Sequence, residues 1–156
     1  MTNPRSKGKR GEYKVRDALT LWTGKEFNRT PSSGAFGTIN KIHEFVGDLV
    51  CEDPDFPFCV EVKNHEGWEL GQLLTSSNPQ ILQWWGQATI QATKSGKYPM
   101  LVILRNRAKP LVVVDASFYL AVSIPKKVSC IAYVSLKHHL HVYQLQDVTT
   151  FGTFRA

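Results

Sequence analysis

Hydrophobic residues near the start of the chain recur with the spacing of an amphipathic helix. In residues 6–27 the apolar side chains return every three or four positions, and Gly24 follows as a stop signal. These apolar positions are Tyr13, Val15, Ala18, Leu19, Leu21 and Trp22. The pattern predicts one long helix and places Glu12 in its first turn, where the helix dipole stabilises a carboxylate.

Two apolar stretches on either side of a turn-forming segment predict a β-hairpin. Residues 49–51 and 58–60 are apolar, and the segment 52–55 between them is rich in turn formers. We expect the turn to be centred between Pro54 and Asp55, and this centre fixes which residues pair across the hairpin.

The expected register brings two carboxylates and a lysine together. Asp48 lies directly opposite Glu61, with the two Cβ atoms roughly 5 Å apart. Lys63 lies two residues beyond Glu61 and projects from the same face of its strand. Carboxylates so close repel each other unless a cation lies between them, and hard oxygen ligands suit Mg²⁺ or Mn²⁺. An ammonium group beside such an ion can orient a water, which favours metal-assisted phosphodiester hydrolysis.

The dipeptide Pro54-Asp55 offers a second acid ahead of Glu61. In this register Asp55 lies at the tip of the hairpin, roughly 20 Å from Glu61, so we assign the role to Asp48. The simpler alternative is a hairpin whose acids and lysine only face solvent.

The remaining hydrophobic pattern alternates helices and strands. It predicts a helix from Pro79 to about residue 93, strands at 98–104, 111–114, 129–134 and 141–145, a short helix at 117–121 and a polar connection at 68–78. A helical crossover then makes the strand of Glu61 parallel to the strand 98–104. The expected architecture is α/β, a central mixed sheet flanked by helices, in one domain spanning residues 1–156.

Basic residues cluster around Glu12, and the whole chain carries a net charge of +6 with a pI near 9.3. The cluster consists of Arg5, Lys7, Lys9, Arg10, Lys14 and Arg16. A run of charge is commonly a solvated face. Because this run borders the predicted metal site, we interpret it as a surface that contacts nucleic-acid phosphates. The residues assigned to phosphate contact are Lys7, Lys9, Arg10 and Lys14.

The segment 28–37 is rich in hydroxyl groups and turn formers. It is either an ordinary connecting loop or a segment that closes over a DNA backbone. In the second case Ser32 and Ser33 hydrogen-bond a phosphate and Arg29 supplies charge.

The order of these features resembles the PD-(D/E)xK nuclease superfamily, and within it the archaeal-type Holliday junction resolvases. A basic Lys-Gly-x-x-Gly-Glu helix, an Arg-x-x-Ser-Ser-Gly segment, a Gly-Asp strand and Glu-Val-Lys follow one another over about residues 7–104. The resemblance implies a restriction-endonuclease-like fold. It also implies a Mg²⁺ cofactor that Mn²⁺ replaces, and a twofold homodimer that cuts four-way DNA junctions.

The resemblance also implies a role for individual residues. Asp48 and Glu61 become the metal ligands, with the Val62 carbonyl as a further ligand, and Lys63 becomes the catalytic lysine. Glu12 becomes the helix glutamate that holds the hydrated metal ion from the helix side.

The family's loop serine falls on Ser32 or Ser33, and Ser33 is the one we assign to catalysis. A glutamine of the following helix, Gln87 or Gln83, supports the active site or belongs to a solvent-facing stripe with Gln91.

Two features depart from the family pattern. Gly47 replaces the usual proline before Asp48, a change we expect to be mild. The tail after Arg105 is longer than a minimal resolvase core, and it either builds a dimer or completes the sheet.

Other functions remain open at this point. The enzymatic alternatives are another structure-selective or restriction-type nuclease and an RNA-processing nuclease; a third alternative is a non-catalytic basic DNA-binding module. No apolar stretch is long enough for a membrane span and no signal peptide is evident, so we expect a cytoplasmic location and no membrane partner.

Cysteine and histidine positions add little chemistry. Cys51 and Cys59 are neighbours across the hairpin, and we interpret them as small core residues of a reduced protein. Of the histidines at 138, 139 and 141, at most two share one face of a strand, so we do not predict a zinc site.

Overall fold

A seven-stranded mixed sheet forms the centre of the molecule, in the order β1-β2-β3-β4-β5-β8-β7. The structure is a computed structural model that describes residues 3–30, 46–134 and 139–156. The strands are β1 Phe27–Arg29, β2 Leu49–Cys51, β3 Phe58–Asn64, β4 Tyr98–Leu104, β5 Leu111–Val114, β6 Val122–Ser123, β7 Ala132–Val134, β8 Leu140–Gln144 and β9 Thr153–Phe154. The helices are α1 Pro4–Thr23, α2 Gln72–Thr75, α3 Gln80–Ser95, α4 Phe118–Ala121 and α5 Leu145–Phe151.

Strands β3 and β4 are parallel, and α3 makes the crossover between them. The other neighbouring strands of the sheet pair antiparallel. The predicted crossover and the α/β class are therefore confirmed, and the arrangement is consistent with a restriction-endonuclease-like fold.

Two hydrophobic cores cover the two faces of the sheet. On β4, Met100 and Val102 face the core that contains α1, α4 and α5, whereas Leu101 and Ile103 face the core under α2 and α3. The alternation is that of a strand buried on both sides. Trp84 and Trp85 of α3 are both buried.

Helix α1 has clear signals at both ends. The Asn3 side chain accepts a hydrogen bond from the Arg5 N–H at 3.0 Å, Pro4 occupies the first turn, and Gly24 closes the helix with φ of 69°. The predicted stop at Gly24 is confirmed. The predicted place of Glu12 in the first turn is wrong: the helix begins earlier, so Glu12 lies about two turns inside it, beyond the reach of the helix dipole.

The C-terminal third completes the sheet. The predicted strand Leu111–Val114 is confirmed. The two later strands are present with slightly different ends: β8 pairs with β5, and β7 pairs with β8 at the edge of the sheet. The connection at 68–78, predicted to be irregular, contains α2. Within the described ranges, no helix is both long and apolar enough to cross a membrane.

Candidate active site

The hairpin formed by β2 and β3 has the predicted register. Leu49 pairs with Val60, and this pairing places Asp48 opposite Glu61. The backbone of Asp48 is fixed on both sides: its N–H donates to the Val60 carbonyl at 2.9 Å, and its carbonyl accepts from the Thr30 N–H at 3.0 Å. Asp48 is therefore held between two neighbouring segments of the sheet.

Gly47 allows the chain to enter this position. Its φ is 88°, and a Cβ atom added there would lie 2.8 Å from the Val60 carbonyl oxygen. Proline fixes φ near −65°, so a proline cannot adopt this backbone. Position 47 thus has a left-handed conformation that favours glycine, and the register that places Asp48 opposite Glu61 is retained.

The Asp48 carboxylate lies in an environment that opposes its charge. Burial and the neighbouring charge of Glu61 raise its pKa to about 6, and Glu12 adds to the rise. Two groups lower the pKa of Asp48 without cancelling this rise. The Val62 N–H donates a hydrogen bond to Asp48 Oδ2 at 2.7 Å, and the Lys63 ammonium attracts the carboxylate charge.

Glu61 and Lys63 form an ion pair on one face of β3. Lys63 Nζ lies 2.8 Å from Glu61 Oε1, and Glu61 is only 9% exposed. Glu61 is the one charged residue among the described residues that is classed as buried. A buried carboxylate needs a cation, and Lys63 supplies part of that charge.

Glu12 approaches the site from α1 and is held by Arg29. The guanidinium of Arg29 forms an ion pair with Glu12 and lies over the Tyr13 ring, 5.3 Å from its centroid. The hydrogen bond to Glu12 raises the pKa of Arg29. Because Glu12 acts on the pKa of Asp48, its carboxylate lies within electrostatic range of the hairpin acids.

These residues suit a divalent cation held largely by water and substrate. In the part of the chain that the structure describes, no three His, Cys, Asp or Glu side chains converge as a complete ligand set. Mg²⁺ commonly binds through one or two carboxylates and keeps several waters, so Asp48 and Glu61 are a sufficient protein contribution. Burial and the charge of Glu61 raise the pKa of Asp48, and a divalent cation between the two carboxylates would favour their charged forms.

The structure leaves some predicted site residues untested and places others away from this group. Ser32 and Ser33 lie outside the described residues. Gln87 is exposed on α3, and no hydrogen bond between described residues links it to the hairpin acids. Asp55 lies in the hairpin turn, exposed, and its N–H donates to Asp53 Oδ1 at 2.8 Å, which agrees with its predicted place at the tip.

The structure adds contacts that sequence reasoning did not find. Gly11 of α1 is buried against Asn64, and the Asn64 Nδ2 donates to the Lys7 carbonyl at 2.8 Å. Asn64 directly follows Lys63, so this hydrogen bond joins α1 to the end of the strand that carries Glu61 and Lys63. Gly11, the second glycine of the Lys-Gly-x-x-Gly-Glu motif, was the sequence signal for this contact, since a glycine buried in a helix marks a close approach of another part of the chain.

The cysteines take no part in this site. Cys51 and Cys59 are free and buried, as predicted for core residues, and burial raises the pKa of the Cys59 thiol to about 11. His139 contacts the Tyr133 hydroxyl at 3.0 Å, and His138 lies outside the described residues.

The mixed sheet and the acid–acid–lysine hairpin define a nuclease of the PD-(D/E)xK class. A family model described as "Phage putative PDDEXK endonuclease" matches residues 3–156. The chain belongs to this phage endonuclease family. It is 34% identical over 117 residues to Protein D14 of Escherichia phage T5, a match that covers 72% of this chain and 71% of that protein. No solved structure matches the chain significantly.

Proposed function

We propose that the protein is a divalent-metal-dependent endodeoxyribonuclease whose active site is the β2–β3 hairpin. The observation that carries the proposal is the pairing of Asp48 with Glu61, together with the Lys63 ammonium 2.8 Å from Glu61. Two acids and a lysine on one face of a hairpin are the groups that hydrolysis of a phosphodiester requires.

Each residue has a separate task in this proposal. Asp48 and Glu61 hold the cation, with the Val62 carbonyl as a further ligand. Lys63 orients the attacking water and donates a hydrogen bond to an oxygen of the scissile phosphate. Glu12, fixed by Arg29, accepts hydrogen bonds from the water shell on the helix side. The cation supplies Lewis-acid polarisation of the phosphate and neutralises charge that develops during hydrolysis.

We further propose that the substrate is branched DNA, with a four-way junction as the first structure to test. The support is the order of the sequence motifs, which resembles that of junction resolvases. Symmetrical cutting of a junction needs two active sites, so this finer proposal includes a homodimer. Ser33, or its neighbour Ser32, and Gln87 stay predictions as supporting residues, as does Mg²⁺ with Mn²⁺ as its substitute.

The first experiment measures cleavage of labelled DNA by the wild type, Glu61→Gln and Lys63→Met, with Mg²⁺ and with chelator. A four-way junction, a linear duplex and a splayed fork are compared. We expect metal-dependent cutting that each substitution reduces by roughly 10²-fold or more, because either change removes a group that acts on the reacting phosphate.

The possible outcomes distinguish a junction resolvase, a nuclease with another DNA substrate and a non-catalytic DNA-binding module. Paired symmetrical nicks confined to the junction support resolution, whereas equal cutting of duplex or fork removes the junction assignment and keeps the nuclease. Metal-independent binding without cutting under Mg²⁺ or Mn²⁺ contradicts the catalytic proposal and leaves a DNA-binding module.

A further inference from the structure

A large basic cleft lies on the side of the sheet that α1 and α5 cover. It has a volume of about 1090 Å³ and lies between α1, the turn that joins β4 to β5, and α5. Six basic side chains line it: Lys7, Arg10, Lys14, Arg105, Arg107 and Lys109. We call this feature the basic cleft.

The charge of the basic cleft is largely uncompensated. No Asp or Glu is among the described residues that line it. Lys7 pairs with Glu66 at the margin, and Arg105 donates to the Trp68 carbonyl at 3.0 Å and stacks on the Trp68 ring.

The other four cations pair with no acid in the described ranges. These are Arg10, Lys14, Arg107 and Lys109. Like charges on facing walls focus a positive potential into the space between them, which favours a polyanion.

The lining also indicates what kind of polyanion fits. None of the described lining residues is aromatic. Single-stranded nucleic acid is held mainly by bases stacked on aromatic rings, and small-molecule sites are largely apolar with aromatic walls. The available partners are cations and the polar groups of Asn64, Asn106, Gln146, Thr149 and Thr150. Such groups suit the sugar-phosphate backbone of a duplex, whose bases remain stacked inside.

One wall of the basic cleft has an uncommon backbone. Arg107 has φ of 57°, a left-handed conformation that a long side chain rarely adopts. Glycine or asparagine would suit this turn better, so the arginine occurs here despite its conformational cost. A functional role for the positive charge would account for an arginine at this position.

The basic cleft begins where the catalytic strand ends. Asn64, which lines it, directly follows Lys63, and successive residues of a strand point to opposite faces. The basic cleft therefore lies next to the end of the strand that carries Glu61 and Lys63.

We propose that the basic cleft binds the backbone of a duplex DNA arm next to the cleavage point, as an anchor separate from the catalytic groups. The proposal rests on the proposed nuclease function for its substrate. It adds that the enzyme requires duplex DNA beside the scissile phosphate and holds that arm through α1 and the 105–110 turn.

The test is binding of linear duplexes of increasing length, and of single strands of the same lengths, in chelator so that no cutting occurs. The variant Lys14→Gln/Lys109→Gln removes one cation from each wall. The charge-matched control Lys94→Gln/Lys126→Gln changes exposed lysines elsewhere. We expect the cleft variant to bind long duplex roughly tenfold or more weakly and to lower the salt slope by about 2, with the control unchanged.

The dependence of affinity on duplex length distinguishes binding in the basic cleft from general electrostatic attraction between the protein and DNA. The wild type should gain affinity as the duplex lengthens, and the cleft variant should lose most of that gain. A second variant, Arg107→Asn/Lys109→Gln, keeps a residue that tolerates the left-handed turn and should show the same loss. Unfolding midpoints establish that each variant is folded.

The results separate this proposal from the nuclease assignment. Equal duplex binding by the cleft variants and the control overturns the cleft proposal, whatever the cleavage assay shows. Equal, cleft-dependent binding of single strands overturns the duplex preference. If Glu61→Gln binds duplex normally while cutting is absent even in the wild type, the nuclease proposal fails and the cleft proposal stands.

Discussion

At the scale of single residues, Asp48 is held where its own charge is unfavourable. The backbone of Asp48 is fixed by Val60 and Thr30, and its carboxylate accepts a hydrogen bond from the Val62 N–H beside Glu61. The protein without metal therefore carries a local electrostatic cost, and that cost is what a divalent cation would relieve.

We expect Asp48→Asn to stabilise the metal-free protein while removing activity. The pKa of Asp48 is raised from 3.8 to about 6 in the folded state, so the folded protein holds the proton more tightly than the unfolded chain does. Wild-type stability should therefore fall as the pH rises from about 4 to about 6. The variant should avoid this loss and be more stable by about 2 kcal/mol at pH 7.

Urea unfolding at both ends of this pH range, in chelator, measures the effect. Adding Mg²⁺ at pH 7 should raise the unfolding midpoint of the wild type and leave that of Asp48→Asn nearly unchanged. A wild-type stability that is flat between pH 4 and 6 would contradict the expectation.

At the scale of secondary-structure elements, sequence pattern predicted best where the signal was local. The turn centre set the register that aligns Asp48 with Glu61, and the apolar run at 111–114 gave β5 its bounds. Helix α5 was not predicted because it starts directly at the end of β8 and Gln144 supplies no side-chain cap. The Glu12–Arg29 pair was not predictable either, since it depends on how α1 packs against the sheet.

The contact between α1 and β3 leads to a prediction with an internal control. In Gly11→Ala the new Cβ would lie 2.8 Å from the Asn64 Cβ and 2.9 Å from its Nδ2, so the helix must shift. We expect a loss of about 1–3 kcal/mol in the free energy of unfolding, despite alanine's higher helix propensity.

Gly8→Ala serves as the control because a Cβ at Gly8 meets nothing within 4 Å. It should stabilise the protein by about 0.5–1 kcal/mol through helix propensity alone. Denaturant midpoints of the two variants make the comparison, and a stabilised Gly11→Ala would show that the helix moves freely against β3.

At the scale of the whole molecule, helix α1 contacts the C-terminal residues of the chain. The Trp22 indole N–H donates to the Gly152 carbonyl at 2.9 Å, and its ring packs on Phe154 at 4.5 Å between centroids. The C-terminal third thus completes the sheet and also supports the helix that carries Glu12.

Trp22→Phe tests this long-range contact. The substitution retains an aromatic ring against Phe154 but removes the hydrogen bond to Gly152, so we expect a loss of about 1 kcal/mol in unfolding free energy. Hydrogen exchange should show earlier opening of α5 and the residues after it. Unchanged exchange in this region would show that the segment does not depend on the indole.

Successive side chains of β3 point to opposite faces of the sheet, so the residues on one face can change without changing those on the other. Glu61 and Lys63 form their ion pair on one face of β3, whereas Asn64, which directly follows Lys63, borders the basic cleft. If the proposed roles hold, relatives can change the residues that contact DNA along the walls of the cleft and keep the same hydrolytic site. Diversity of target among these nucleases should accumulate on that face, while the hairpin acids and the lysine stay constant.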